Sequence, residues 1–262
     1  MICIIGAMKE ELNGIIQHLT VQKKYLHGSA TFYECNFKNE NIIIVRSGVG
    51  QSLAKKATLD VIKMYSLRSI VSIGFAGGIA SELKTSDLIL SNNVFYCDNE
   101  ESLLRFNKVP LSKIPNIYNY GEKIKNILTE NEIKYNFGNI ISLNKVAGTV
   151  KFKEWLGRNY PVLGVEMETA SIAKTAKQKK VPFISIRSIS DEVSHSIIQI
   201  NKMTNKKGNI NKLGIGYYLA THPSQIPSAL ELKKNASKAA KALTSTILIL
   251  INSKKFVDGF AP

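Results

Sequence analysis

The chain has 262 residues, of which 44% are hydrophobic, so it is long enough to bury one substantial core. No apolar run reaches the roughly 18 residues of a membrane span, and the longest, STILILI, is far shorter. The formal charge of +15 says nothing about the fold, but it favours attraction to anionic surfaces and polymers. We therefore expect one globular domain over residues 1–262, with no membrane span.

The first residues and the cysteines indicate the compartment. The stretch MICIIGAMKEE turns acidic after a brief apolar run, and it has neither a basic leader nor a convincing cleavage site. Cys3, Cys35 and Cys97 are odd in number and show no CxxC spacing, which argues against a disulfide framework and against a zinc site. The sequence therefore predicts a cytoplasmic protein, with a surface or exported form left open.

Short apolar runs alternate along the chain with longer helical patterns, which predicts an α/β fold. The first strand is ICIIG and the first helix is expected from about Lys9 to Leu19. Further strands are predicted at TFYECNF, NIIIVRSG, SIVSIGFAG, DLILSNNVFY, NIISL, PVLGVEM and VPFISIRSIS, and their apolar character favours burial on both faces. Helices are expected at residues 51–65, 120–131, 152–158, 168–178 and 227–251.

The end of the chain combines a basic segment with an amphipathic helix. Residues 201–224 are rich in Lys, Asn and Gly, and we predict that they form a basic loop insertion. In the helix that follows, one apolar stripe is expected to hold Ala236, Ala240, Leu243, Ile247 and Ile251. The lysines of both segments either serve a dedicated anionic ligand or form a surface that reflects genomic composition.

Two glycine-containing segments follow predicted strands. SGVGQ follows IIIV and GFAGG follows SIVSI. Neither matches GxGxxG or the GxxxxGK[ST] phosphate loop, so each is compatible with a plain turn. Ligands of open α/β sheets bind beyond the carboxyl ends of the strands, so the two segments together indicate a binding edge.

Acidic residues also occur at the ends of predicted strands and helices. Glu11 lies in the first turn of the first predicted helix, where the helix dipole alone would favour it. Glu166 and Glu168 lie where a strand passes into a helix. A carboxylate in such an apolar setting must be paired with another polar group or take part in the protein's function. Asp191 ends the next apolar strand, although it could also cap a helix. The histidines have no HxxxH or HExxH spacing and GxSxG is absent, so neither metal hydrolysis nor a serine triad is supported.

The segments IIGAMKEEL, RSGVG, GFAGG, GVEMETASIA and RSISDE, in this order, resemble the 5′-methylthioadenosine/S-adenosylhomocysteine nucleosidases of the purine nucleoside phosphorylase-like superfamily. The resemblance extends from Met1 to about Glu192. It implies a single-domain, three-layer α/β/α sandwich with a central mixed sheet, usually assembled as a homodimer. It also implies hydrolysis of the N-glycosidic bond of methylthioadenosine or S-adenosylhomocysteine, with no cofactor and no metal.

The same resemblance assigns roles to individual residues. Asp191 is expected to be the general acid that protonates the leaving adenine, and Glu11 the base that activates water. Glu168 is expected to hold the ribose hydroxyls. The other expected substrate-binding residues are Met8, Val49, Phe75, Val146, Glu166, Met167, Arg187 and Ser190.

Two positions depart from the pattern of these nucleosidases. Phe75 stands before AGG, where a small polar residue is usual and helps to organise the acid. The segment that normally supplies an aromatic platform under adenine reads SLNKVAG here, and Val146 is the nearest equivalent. We expect these changes to reshape the acid's surroundings and to weaken adenine binding.

Two other functions remain open. One is a nucleoside phosphorylase of the same fold, although Glu11 would repel phosphate and no phosphate-binding arginine is apparent beyond Arg46. The other is a protein of this fold that binds a glycosaminoglycan or nucleic acid through its basic surface. Charge supports the second function, whereas no nucleic-acid motif does. The sequence does not decide which nucleoside is preferred.

Overall fold

The computed structural model describes residues 1–38, 40–115, 120–195 and 226–257, so the predicted basic loop at 201–224 lies outside the described residues. The strands are β1 Ile2–Gly6, β2 Thr20–His27, β3 Ala30–Phe37, β4 Glu40–Arg46, β5 Ser69–Gly78, β6 Leu88–Tyr96, β7 Ser112–Pro115, β8 Asn136–Ser142, β9 Gly164–Glu166 and β10 Phe183–Asp191. The helices are α1 Lys9–Ile16, α2 Gln51–Met64, α3 Glu100–Leu104, α4 Tyr120–Glu130, α5 Val150–Asn159, α6 Thr169–Gln178, α7 Ile226–Asn252 and α8 Lys254–Val257.

The strands form one mixed sheet. Strands β2, β3, β4, β1 and β5 lie side by side in that order, with β1 parallel to both β4 and β5. Beyond β5 the sheet closes on itself, because β10 pairs with both β5 and β6 while β8 and β9 connect β6 back to β5. The carboxyl ends of β1, β4, β5 and β10 therefore lie at one edge of the sheet.

Helices cover both faces of the sheet, which confirms the predicted three-layer sandwich. Alternate side chains of β1 belong to different cores, as the strand period of two requires. Ile2 and Ile4 pack in the core that includes residues of α1, α4 and α7. Cys3 and Ile5 pack in the core that includes residues of α2 and α6. The near-continuous apolar runs of the inner strands are the consequence of this double burial.

The buried stripe of α7 differs from the predicted one. Ala236 and Ala240 are only partly buried, whereas Asn235 and Ala239 are buried in their place. In the first half of the helix, the buried stripe is thus shifted by one residue relative to the prediction. The later positions of the predicted stripe, Leu243, Ile247 and Ile251, are buried as expected.

The sequence patterns did not predict several polar or short elements and gave another the wrong length. Strand β2 is mostly exposed and pairs only with β3 in the described part of the sheet, so its sequence TVQKKYLH lacks the apolar pattern that identifies an inner strand. Lysines on such an edge strand discourage pairing with another chain. The predicted strand PVLGVEM is reduced to the three residues of β9, and α3 and β7 were not predicted.

Candidate active site

Glu11 is buried at the start of α1 and is held by backbone donors. Its Oε2 accepts hydrogen bonds from the backbone N–H groups of Ala7 and Met8, each at 2.8 Å. Its Oε1 accepts one from the backbone N–H of Phe75 at 2.9 Å. Burial raises the pKa of Glu11, against the opposing effect of these three donors and of Arg187. The result is a fixed carboxylate with a strengthened affinity for a proton.

A glycine of β5 makes room for this carboxylate. A Cβ atom at Gly74 would lie only 2.8 Å from Oε1 of Glu11 and 3.4 Å from Nη1 of Arg187. Any larger residue would displace the carboxylate, because real Cβ contacts are not that short. Glycine is therefore favoured at position 74 because the side chains of Glu11 and Arg187 lie close to the backbone there, and not because the chain turns.

Arg187 and Glu166 form a buried polar centre behind Glu11. The guanidinium of Arg187 donates to Ser72 Oγ at 2.7 Å, to Glu166 Oε2 at 3.3 Å and to Thr169 Oγ1. Glu166 also accepts hydrogen bonds from Ser142 Oγ and from the backbone N–H of Thr169. Since protein donors occupy both oxygens of Glu166, we interpret it as an organising residue rather than a ligand for substrate.

Glu168 lies at the N-terminal end of α6 and reaches the loop between β4 and α2. Its Oε1 accepts a hydrogen bond from the backbone N–H of Gly50 at 2.7 Å, and Gly50 has a φ of 101°, a conformation that favours glycine. Burial, followed by the charges of Glu166 and Glu11, raises the pKa of Glu168 to about 8. The site therefore crowds three carboxyl groups around one arginine.

This raised pKa predicts how stability depends on pH. The folded chain holds the Glu168 proton more tightly than the unfolded chain, whose glutamates titrate near about 4.3. Stability should therefore fall as pH rises from about 4.3 to about 8. Glu168→Gln keeps an acceptor for Gly50 and never ionises, so its melting temperature should be close to the wild-type value near pH 4 and exceed it by several degrees near pH 8. A gap between the two proteins that stays constant across this range would contradict the assignment.

Asp191 ends β10 and forms a second buried centre. The pairing of β10 with β5 shifts register between Ile189 and Asp191, so that Asp191 pairs with Gly77. Its Oδ1 accepts a hydrogen bond from Ser190 Oγ at 2.8 Å, and its Oδ2 accepts one from Lys153 Nζ at 2.5 Å. A Cβ atom at Gly77 would lie 3.0 Å from Oδ2, so any larger residue there would press against the carboxylate.

Strand β5 connects the two centres. Gly74 borders Glu11 and Arg187, and Gly77 borders Asp191. Three residues of extended chain separate these glycines by about 10 Å. A ligand with two functional ends can therefore meet a carboxylate at each end, as acid and base chemistry on a single bond would require.

The structure brings most of the predicted site residues to this edge of the sheet. Met8 caps α1 and donates its backbone N–H to Glu11, while Val49 and Met167 are half-buried in loops beside Gly50 and Glu168. Val146 is half-buried in the loop between β8 and α5. Ser190 contacts Asp191 directly, so we interpret it as holding the acid.

Phe75 contributes to the site through its backbone. Its backbone N–H holds Glu11, whereas its side chain packs against the core shared with α1 and α7. The small polar residue that is usual at this position is thus not what orders Asp191 in this chain. Among the residues that the structure describes, Ser190 and Lys153 are the side chains that donate hydrogen bonds to the Asp191 carboxylate.

Sequence reasoning missed Lys153, Ser142 and Thr169. Lys153 looked like an ordinary lysine of a polar helix, yet its side chain is 0% exposed. Its position, next to Phe152 and three residues before Leu156 on the buried face of α5, was the available signal. A lysine is rarely fully buried unless it is paired.

The acids define the site more clearly than surface shape does. A surface cavity lies between α2 and α6 and is lined by Gln51, Lys55, Tyr96, Ala170, Ser171, Lys174, Thr175 and Gln178. This lining has no carboxylate, so it lacks the groups for general acid and base catalysis. Within the described ranges, no group of three or more His, Cys, Asp or Glu side chains is arranged to hold a metal ion.

Comparison with known protein families places the chain in one superfamily. Residues 1–213 match the model of the phosphorylase superfamily, and the chain belongs to this superfamily. The 5′-methylthioadenosine/S-adenosylhomocysteine nucleosidase of Staphylococcus aureus is 28% identical over 196 residues, which cover 73% of this chain and 86% of the relative. The Staphylococcus haemolyticus protein of the same name is 27% identical over the same length. The resemblance seen in the sequence motifs is confirmed.

Solved structures agree with this assignment. A Helicobacter pylori nucleosidase, an Asp-to-Asn mutant with 5′-methylthioadenosine in its active site, superposes with a TM-score of 0.70 at 25% identity, covering 94% of this chain and 97% of that one. A Streptococcus pyogenes S-adenosylhomocysteine nucleosidase in complex with 5-methylthiotubericidin reaches a TM-score of 0.74 at 20% identity, covering 100% and 97%. The second likeness shows the fold.

Proposed function

We propose that the protein hydrolyses the N-glycosidic bond of 5′-methylthioadenosine, S-adenosylhomocysteine or both, releasing adenine and the thioribose product. The observation that carries this proposal is the pair of buried carboxyl groups, Glu11 and Asp191, held along β5 at the carboxyl edge of the sheet. The names of the relatives and the nucleoside ligands of the neighbouring structures support the same activity.

Glu11 is the proposed base for the water. Cleavage of the bond leaves positive charge on the ribose, and water attacks that centre once its proton is removed. A carboxyl group whose pKa is raised by burial removes a proton more readily than an exposed one. Its three backbone hydrogen bonds keep it in one rotamer, so it meets the water in a fixed position.

Asp191 is the proposed acid for the leaving base, and Glu168 the proposed ligand of the ribose hydroxyls. Adenine departs with negative charge, which a proton from Asp191 neutralises. Glu168 is half-buried and lies close enough to Glu11 for their charges to interact, so its carboxyl oxygens can accept hydrogen bonds from the ribose hydroxyls beside the base. Met167, half-buried between Glu166 and Glu168, supplies an apolar surface for the sugar.

The phosphorylase alternative finds less support. Phosphate would have to approach the carboxylate of Glu11, and like charges repel. Arg46, the arginine considered for phosphate, donates a hydrogen bond to Thr31 Oγ1 at 2.9 Å and is thereby engaged. Water is accordingly the proposed nucleophile.

Product analysis tests the proposal directly. The wild-type protein is incubated with methylthioadenosine, and separately with S-adenosylhomocysteine, with and without inorganic phosphate. We expect free adenine and the free thioribose sugar from at least one of the two nucleosides, at a rate that does not depend on phosphate. A sugar 1-phosphate that forms only when phosphate is present would replace hydrolysis with phosphorolysis.

Val146→Phe tests the proposed adenine platform. If Val146 occupies the position of the usual stacking aromatic, a phenyl ring there should lower KM for methylthioadenosine, since an aromatic contact adds about 0.5–1.5 kcal/mol beyond burial. That energy corresponds to a fall in KM of roughly 2-fold to 10-fold, with kcat little changed. Steady-state kinetics measure it, and an unchanged or higher KM would mean that another residue supplies the platform.

A homodimer, a cytoplasmic location and weak polyanion binding remain predictions. No helix in the described parts of the chain is both long enough and apolar enough to cross a membrane. Four of the late lysines, Lys233, Lys234, Lys238 and Lys241, are exposed on α7, which is compatible with contact to an anionic polymer. The other lysines of that hypothesis lie at 201–224, outside the described residues.

A further inference from the structure

A buried lysine sits against the proposed acid. Lys153 lies in the second turn of α5, and its side chain is 0% exposed, while that of Asp191 is 4% exposed. The distance between Lys153 Nζ and Asp191 Oδ2 is 2.5 Å. An ammonium group costs free energy to bury, so its position beside this one carboxylate needs a physical reason.

All three donors of the Lys153 ammonium group are used. Besides Asp191, it donates to the backbone carbonyl oxygens of Glu192 and His195, each at 2.9 Å. It therefore holds both the carboxylate and the chain that leaves β10. Ser190 Oγ fixes the other carboxylate oxygen, so Asp191 has one defined orientation.

We infer that Lys153 is a positioning residue of the reaction: its ammonium group fixes Asp191 and sets the pH range in which that carboxyl group can deliver a proton to the leaving base. A cation within hydrogen-bonding distance favours the ionised carboxylate. The charge-assisted hydrogen bond between the two groups holds the carboxylate in place. The catalytic part of this inference rests on the proposed function, whereas the effect of Lys153 on Asp191 does not.

Within the described part of the chain, the titratable side chains that adjoin the pair along the backbone have partners of their own. The Glu192 carboxylate accepts hydrogen bonds from Lys84 Nζ at 3.1 Å and from the backbone N–H of Thr85 at 3.2 Å. The imidazole of His195 lies 4.0 Å from Glu231 on α7. Strands β5 and β9 contribute Gly77 and Val165, which do not titrate, on the side of Asp191 that they cover.

Lys153→Met removes the charge and keeps an unbranched side chain that is one atom shorter. We expect the alkaline limb of kcat against pH to move upward by about one unit or more, because Asp191 then keeps its proton to higher pH. The plateau value of kcat should fall while KM for methylthioadenosine changes little, since the carboxylate loses its fixed orientation. Lys151→Met, an exposed lysine of the same helix, is the matched control and should reproduce the wild-type profile.

A second measurement does not need activity. The chain has five aspartates, so ¹³C-labelled aspartate gives few carboxyl signals, and Asp191→Asn identifies the one of interest. In Lys153→Met that signal should titrate at a pH higher by about one unit or more than in the wild type. Lys153→Gln, which retains amide donors for the carbonyls of Glu192 and His195, repeats the measurement if the methionine variant does not fold.

The outcomes separate the two proposals. An Asp191 titration that is the same with and without Lys153 overturns the inference, whatever the activity. A shifted titration together with an unshifted kcat profile also overturns it, since the Asp191 proton would then not govern turnover. If the titration shifts and the wild-type protein releases no adenine, the effect of Lys153 on Asp191 is upheld and the proposed function fails.

Discussion

Asp191→Asn should lower kcat for methylthioadenosine by about 10²-fold or more, because a positioned proton donor typically contributes 10²–10⁴. The asparagine side chain retains an oxygen that can accept from Lys153 but has no proton of suitable acidity for the leaving adenine. KM should change far less than kcat, since the shape of the side chain is preserved. Steady-state kinetics with adenine detection measure the effect, and near-normal turnover in a folded variant would remove Asp191 from its assigned role.

Stability has to be separated from catalysis in this variant. Asp191→Asn leaves the Lys153 ammonium group buried without its counter-ion, and breaking such a pair costs about 3–5 kcal/mol. The double variant Asp191→Asn with Lys153→Met contains no buried charge at this position and should regain stability, but it should remain inactive. Asp60→Asn on α2, remote from the acids, is a control for the aspartate-to-asparagine change itself.

Glu11→Gln should also lower kcat by about 10²-fold or more, because a neutral amide cannot take the proton of the attacking water. The structure adds a cost in stability. Both carboxylate oxygens of Glu11 accept hydrogen bonds from backbone N–H groups, and the amide NH₂ of glutamine must replace one of these oxygens. At least one buried N–H then loses its acceptor, which destabilises the fold by about 1–3 kcal/mol.

The neighbouring Glu10→Gln provides the matched control for Glu11. Glu10 lies in the same first turn of α1 and is exposed, so its substitution should leave kcat and the melting temperature close to the wild-type values. Thermal melts monitored by circular dichroism and initial rates are compared for both variants. Equal losses in the two would show that charge near the end of α1, rather than a base at Glu11, is what matters.

The inner strands and most helices were predictable because each follows from a local pattern. The strands β1, β5 and β10 are buried on both faces of the sheet, and such burial requires apolar residues at consecutive positions. Edge strand β2 was not predictable in this way, since an exposed strand needs no apolar pattern. The rotation of α7 by one residue also escaped prediction, because alanines and lysines fit several neighbouring stripes almost equally well.

The motifs of the sequence indicated the superfamily to which the chain belongs and singled out three acids as candidates for the site. Glu11, Glu168 and Asp191 each stand at a strand or helix end, a position that the sequence pattern reveals. Only the tertiary structure decided what surrounds them. Lys153 is 38 positions before Asp191 in the chain, and no local pattern links the two. They meet because α5 packs where β10 ends beside β5, and a contact between distant segments is set by the packing of whole elements rather than by neighbouring residues.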